Sequence, residues 1–195
     1  MSKSLGTGID PIKLVEKYGA DATRFGIAYQ IMGGQDIRFV EDNILMGKKF
    51  CNKIWNASRF VLMQTADIPK RSLNGKRPGL SHLAAADKKI LNQLNKTTES
   101  VNKDIEIFKF GKAAHTLYDF FWHDFCDLYI EYAKNKNGKQ TKEVLLYVLT
   151  TSLKLLHPFI PFVTEEIYQK IPIKNKSKCL MIEAWPVCAG RPKCR

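Results

Sequence analysis

Residues 41–64 read EDNILMGKKFCNKIWNASRFVLMQ. Ile44, Cys51, Ile54, Trp55, Ser58, Val61 and Leu62 return at intervals of three and four. That spacing lines one face of an α-helix and no face of a strand. One long amphipathic helix over about 41–64 is therefore expected, and a single such helix must bury its apolar side against others.

The same rhythm continues toward the C-terminus. Residues 65–81 hold Pro69, Gly75, Pro78 and Gly79 and read as a loop. Asp87 stands near the start of a second long helix, with Ile90, Leu94, Thr97, Val101, Ile105 and Phe108 as its apolar stripe. Gly111 marks a break or a close approach. Leu117, Phe121, Phe125, Leu128 and Tyr132 outline a third helix, and Lys134 to Gln140 form a polar turn. Leu145, Leu149, Leu153 and Leu156 outline a fourth. His157-Pro158 stops it, and Pro161 opens a short helix through about Lys170. Long helices joined by short connections predict an antiparallel bundle.

Toward the N-terminus the chain is mixed. Asp10-Pro11 has the form of an N-cap followed by a first-turn proline, with Leu14, Val15 and Tyr18 on the buried side and Gly19 as the stop. A second short helix runs from Asp21 to about Ile31, Gly33-Gly34 breaks it, and Gln35 to Phe39 alternates as an extended segment. The fold class expected is mainly α: a small mixed module over 1–40, an antiparallel helical bundle over 41–173, and a basic tail over 174–195.

Composition narrows the function. With 195 residues, 45% of them hydrophobic and 26% charged, the chain can bury a core, and wholesale disorder is excluded. No apolar run approaches the ~20 residues of a membrane span, and no secretory signal pattern opens the chain, so no membrane partner and a cytoplasmic location are expected. The formal charge of +12, from 31 Lys and Arg against 19 Asp and Glu, favours a polyanionic partner such as nucleic acid. Of the five cysteines, Cys51 and Cys126 fall in apolar helical patterns and read as core. Cys179, Cys188 and Cys194 match no ordinary zinc spacing, so no metal site is expected.

Candidate chemistry gathers in a few stretches. Ser2-Lys3-Ser4 before Gly6-x-Gly8 sets a mobile cation among groups that let backbone approach a phosphate, although it is not a P-loop and could equally be a solvated terminus. On the 41–64 helix, Asn52, Trp55, Asn56 and Arg59 are spaced to share a face. Amides and a guanidinium read base edges, and an indole stacks on an unpaired base, while the plainer reading buries Trp55 in the core. His123 and Asp127, four apart, could form a metal or acid–base pair. The favoured reading makes the surrounding aromatics core and pairs the acids with bases on the Lys48 helix. Lys174, Lys176 and Lys178 form either a solvated edge or a phosphate-contacting strip. No nucleophile set is visible.

The residues also carry a resemblance. Met1-Ser2-Lys3-Ser4 resembles the last four letters of the KMSKS signature of class I aminoacyl-tRNA synthetases. Gly8-Ile9-Asp10-Pro11, the stretch from Tyr18 to Phe25 and His157-Pro158-Phe159-Ile160-Pro161-Phe162-Val163-Thr164-Glu165-Glu166-Ile167 are similar to the large branched-chain subgroup. Within it, residues 34–39, 52–61 and 121–127 look most like the valyl branch. The resemblance covers about residues 1–186.

It implies the C-terminal part of an enzyme that activates valine with Mg-bound ATP and charges tRNA(Val). Lys3 would be the catalytic cation stabilising phosphate charge in adenylation, with Ser2 and Ser4 beside it at the ATP. Residues to about 40 would form the module contacting the inner side of the tRNA. The bundle would bind the anticodon stem and loop, with Trp55 and Arg59 leading and Asn52 and Asn56 behind them. The leading lysine of the signature, the HIGH-type motif, the nucleotide-binding domain and the editing domain would lie in a missing N-terminal portion. This chain alone would then bind no ATP and be inactive. The end from Val187 to Arg195 departs from the family. The alternatives are a free-standing tRNA-binding module without catalysis, or part of a leucyl or isoleucyl enzyme.

Overall fold

The computed structural model describes residues 9–31, 33, 39–68, 77–79, 83–136, 138–174 and 176–187. Ser2, Lys3, Ser4, Gly6, Gly8, the expected extended segment up to Arg38, and Cys188 and Cys194 lie outside the described residues. Among the described residues all regular structure is helical, in accord with the mainly α expectation.

Two short helices come first. In α1 (Pro11–Tyr18) the Asp10 side chain accepts from the Ile12 amide at 2.9 Å, the N-cap that the Asp-Pro pair predicts. Leu14 is buried, but Val15, expected inside, faces solvent. α2 (Ala20–Gln30) crosses α3 (Glu41–Gln64) at a contact that only glycine fits. A Cβ on Gly26 would stand 2.7 Å from the Asn43 carbonyl oxygen, and one on Gly47 would stand 2.6 Å from that of Ala22.

The bundle continues with α4 (Ala85–Glu106) and α5 (Phe110–Asp119). The latter passes without a break into a π-helical stretch, Phe120–Ile130, and then into the last turn, α6 (Glu131–Lys134). α7 (Lys139–Leu156), α8 (Pro161–Lys170) and a 3₁₀ turn at Leu180–Ile182 complete it. Leu94, Phe121, Phe125, Leu145 and Leu149 are each at most 1% exposed and mark the centre of the core.

Two expectations for buried stripes each fail at one residue, Leu128 and Phe108. The i→i+5 bonding of the π stretch widens each turn. Burial therefore recurs every fourth residue, at Leu117, Phe121, Phe125 and Tyr129, and Leu128 is turned out to 58% exposure. Phe108 is also outside the core, at 77% exposed. α4 ends before it in a Schellman motif. The Lys109 amide bonds the Asp104 carbonyl at 2.7 Å, the Phe108 amide bonds that of Ile105 at 3.0 Å, and Phe108 takes φ +58°. Gly111 is the close approach its sequence position suggested, since a Cβ there would lie 1.8 Å from the Ile31 carbonyl oxygen.

A buried polar network fastens the helices. Asp87 accepts from the Ala84 amide at 3.2 Å, from the Tyr129 hydroxyl at 2.7 Å and from Thr141 Oγ1 at 3.4 Å, joining α4, the π stretch and α7. Burial first, and then that bond, push the Tyr129 phenol well above its ordinary pKa.

Candidate nucleic-acid interface

α3 rises about 36 Å over its length. Along it Leu45, Lys49, Asn52, Asn56, Arg59 and Met63 are exposed, at alternating intervals of four and three. This is one straight stripe on the helix. Lys49, Asn52, Asn56 and Arg59 have no side-chain partner among the described residues. The stripe thus offers two free cations and two free amides in a row.

The other basic residues of the helix are held internally. Lys48 Nζ donates to the Lys17 carbonyl at 3.3 Å, at the C-terminal end of α1, where carbonyls are left without helical partners. Lys53 pairs with Asp127 at 2.9 Å and lies 4.9 Å from the centre of the Trp122 ring. The bond to Asp127 raises the Lys53 pKa. Of the three acids in 120–131, Asp127 is paired with the Lys48 helix as the sequence suggested, whereas Glu131 pairs instead with Lys134 at 2.6 Å. His123 Nδ1 sits 3.4 Å from the other Asp127 oxygen. No group of three or more His, Cys, Asp or Glu among the described residues could hold a metal.

Trp55 is placed between its two sequence readings. It flanks the stripe rather than standing in it, half-buried against the core. The Lys170 ammonium of α8 stands 5.7 Å from its ring centre, and Lys170 in turn pairs with Glu166. Asn52, Asn56 and Arg59 are thus brought together on the surface, with the indole at their edge. Cys51 and Cys126 behave as core thiols, both pushed up to about 12 by burial.

Helix α2 is locked to the start of α8 by residues that carry no candidate role in the sequence. Helix α8 begins at Pro161, which has no amide hydrogen, and its N-cap Ile160 has no side-chain acceptor. Asp21 of α2 fills that place. Its two carboxylate oxygens accept from the Phe162 and Val163 amides at 3.2 and 2.6 Å. Arg24 Nη2 donates to the Pro158 carbonyl at 2.9 Å on the other side of the corner. Thr164 Oγ1 donates to the Ile160 carbonyl at 2.8 Å, so it accepts from His157 Nδ1, also at 2.8 Å. Burial lowers the His157 pKa, and its Nε2 is left as a buried acceptor.

The segment after α8 folds back onto the bundle. Lys176 Nζ donates to the Tyr168, Gln169 and Ile171 carbonyls at 3.1, 2.6 and 3.3 Å, capping the end of α8. Of the expected basic strip, this lysine is engaged with backbone, while Lys178 and Lys174 make no ion pair among the described residues. Glu183 accepts from Lys154 at 2.8 Å, from the Tyr168 hydroxyl at 2.6 Å and from the Ser177 amide at 2.8 Å. Burial works to raise the Glu183 pKa, but these donors outweigh it and hold the carboxyl down at about 2. Trp185 Nε1 reaches Asn102 Oδ1 at 2.7 Å.

Comparison with known proteins places this geometry. Residues 87–192 match the model of the anticodon-binding domain of tRNA ligase. Valine–tRNA ligase of Bacillus cereus is 46% identical across 95% of the chain, and that of Thermotoga maritima is 47% identical across the same share. In each case the chain spans 21% of the relative's length. Among solved structures, a ternary complex of Agrobacterium radiobacter K84 LeuRS with tRNA and LeuAMS superposes with a TM-score of 0.75 at 22% identity. It covers 95% of this chain and 22% of that one. Methionyl-tRNA synthetase of Mycobacterium tuberculosis with methionyl-adenylate gives 0.67 at 20% identity, covering 86% and 35%. Likeness at these identities speaks for the helical fold alone.

Proposed function

The chain belongs to the anticodon-binding domains of tRNA ligases, and from that premise we propose that it is the tRNA-binding C-terminal portion of a valine–tRNA ligase. The observation that carries the reading is the α3 stripe, where Lys49, Asn52, Asn56 and Arg59 stand exposed at helical spacing, without side-chain partners among the described residues, beside the half-buried Trp55. Two cations supply phosphate attraction, two amides supply donor and acceptor pairs for base edges, and the indole offers a stacking edge. The identity to valine–tRNA ligases supports tRNA(Val) as the partner.

The division of labour follows the same proposal. The module up to about residue 40 contacts the inner side of the tRNA, the bundle over 41–173 holds the anticodon arm, and residues 174–195 form the tail. ATP, carried as its Mg complex, supplies the activating phosphoanhydride in the full-length enzyme. Lys3, flanked by Ser2 and Ser4, is assigned the phosphate charge in adenylation. Valine selection belongs to an N-terminal catalytic portion, and the cytoplasm is the compartment. No helix among the described residues is long and apolar enough to cross a membrane.

The test is binding of this chain to a tRNA(Val) transcript, an anticodon-substituted copy and a non-cognate tRNA at two salt concentrations. The expected result is tightest binding to the native anticodon. Arg59→Ala should weaken it about 10-fold, the size of one lost charge-assisted contact. Equal binding of all three RNAs by the unaltered chain would refute anticodon recognition. Binding unmoved by Arg59→Ala would remove the stripe from the interface.

A further inference from the structure

The knuckle between α4 and α5 reads Ile107-Phe108-Lys109-Phe110-Gly111-Lys112. Its conformation is at odds with its sequence. A Schellman turn places its C′ residue in the left-handed region, where glycine is the usual occupant because a Cβ clashes there. This chain has phenylalanine at φ +58°. The same side chain is 77% exposed, so no burial offsets the strain. Two local rules are broken at one residue, and neither serves the core. Such departures collect where a side chain is needed for contact with something else.

The surroundings indicate what that contact is. The Phe108 and Phe110 rings meet edge to face, with centres 6.0 Å apart. Phe110 in turn lines a cavity of about 430 Å³ together with Ile31, Pro158 and Trp185. Lys103, Lys109 and Lys112 surround the turn, all exposed. Asp104 is buried and already bonded to Lys112 at 3.2 Å, which leaves Glu106 as the exposed acid of this turn. An open aromatic face among lysines is the arrangement that takes a nucleobase on the ring and phosphates on the ammonium groups.

We infer that Phe108, presented by this strained turn, is a stacking platform for an unpaired nucleobase of the bound RNA, distinct from the α3 stripe. The inference rests on the RNA-binding reading above. Lys103 and Lys109 hold the adjoining phosphates, and Phe110 braces the ring from the side of the cavity. Stacking needs an open base, so the site engages loop or junction nucleotides and ignores a closed duplex.

The strain provides the test. Phe108→Gly removes the ring and also relaxes the backbone, so the fold should melt at the same temperature or higher. Phe108→Asn, which also tolerates a left-handed backbone, is the parallel variant. Affinity for a tRNA(Val) transcript should nevertheless fall about fivefold to a hundredfold, the range of one lost base–aromatic stack. Affinity for a fully paired RNA duplex and the salt slope should not change, and Phe108→Tyr should restore transcript binding. Lys109→Ala should instead lower the salt slope by about one. If the unaltered chain binds the transcript and Phe108→Gly binds it equally well, the platform is refuted while the RNA-binding reading stands. If the unaltered chain binds no RNA at either salt, both fall. If Phe108→Gly leaves RNA affinity intact but abolishes self-association in sedimentation, the ring is a protein contact and the inference is overturned.

Discussion

Removing the Asp21 carboxylate tests the joint between α2 and α8. Helix α8 has no local cap, because Ile160 carries no acceptor and Pro161 no donor. Its first two free amides, Phe162 and Val163, bond Asp21 from a residue 141 and 142 positions away. A hydrogen bond to a charged acceptor contributes about 1.5–3 kcal/mol, and an ordinary N-cap is worth about 0.5–2 kcal/mol. The two bonds share one carboxylate, so they do not add fully. Asp21→Ala should therefore cost about 2–4 kcal/mol in urea denaturation at neutral pH. At about 2–4 °C per kcal/mol for a chain of this size, the melting temperature should fall by about 4–16 °C. Asp21→Asn keeps one oxygen but no charge, and should lose about half as much. Hydrogen exchange should speed up at the Phe162 and Val163 amides in both variants. A stability within 0.5 kcal/mol of the unaltered chain, or unchanged exchange at those two amides, would sink the claim that Asp21 caps α8.

Two further outcomes follow from packing and charge. Gly111→Ala would push a Cβ to 1.8 Å from the Ile31 carbonyl, against backbone that cannot rotate away. It should destabilise by about 3 kcal/mol or more in the same urea assay, and a neutral result would mean that α2 and α5 are not in contact. Glu183 has a folded pKa of about 2 against an ordinary 4.5. A depressed carboxylate contributes stability above its unfolded pKa and loses it as pH falls through the folded one. The contribution is at most about 3 kcal/mol, complete above about pH 5 and gone near pH 2. The gap between the unaltered chain and Glu183→Gln should accordingly shrink as pH is lowered, and a gap constant from pH 7 to 3 would contradict this ion pairing.

How much of this was legible beforehand can be read from particular residues. The long helices were, because Ile54, Leu94, Val101, Leu149 and their neighbours repeat at helical spacing and all lie inside. Phe108 and Leu128 were misjudged for two physical reasons. The Schellman turn lacks the glycine that would announce it, and the π stretch changes the period on which stripe counting depends. That Asn52, Asn56 and Arg59 share an exposed face was legible too, because surface position follows from the same periodicity that fixes the core. The part played by Asp21 was not legible, although its surrounding letters were noticed. A cap supplied from across the molecule leaves no local spacing. Its one sequence trace is a helix that starts Ile-Pro-Phe with nothing of its own to bind its amides.

The net charge of +12 suggested a polyanion but could not say where it binds, and the structure explains why. Many lysines of this chain act inside it. Lys176 caps α8, Lys48 reaches the end of α1, and Lys53, Lys112, Lys142 and Lys154 each meet an acid. A cation bonded to its own protein gains little by releasing a counterion from RNA, since it must first give up a partner. The electrostatic footprint is therefore set by the cations left over and by their alignment. On α3 these are, among the described residues, Lys49 and Arg59, ten residues apart on one stripe and separated by amides rather than acids. About 15 Å of helix lies between them, enough to reach phosphates several nucleotides apart along a strand. Removing either should lower the salt slope of RNA binding by about one. Neutralising Lys53, which is already paired with the half-exposed Asp127, should instead leave that slope nearly unchanged and cost about 1 kcal/mol of stability or less. Equal slopes for Arg59→Ala and the unaltered chain would show that counterion release does not occur on this face.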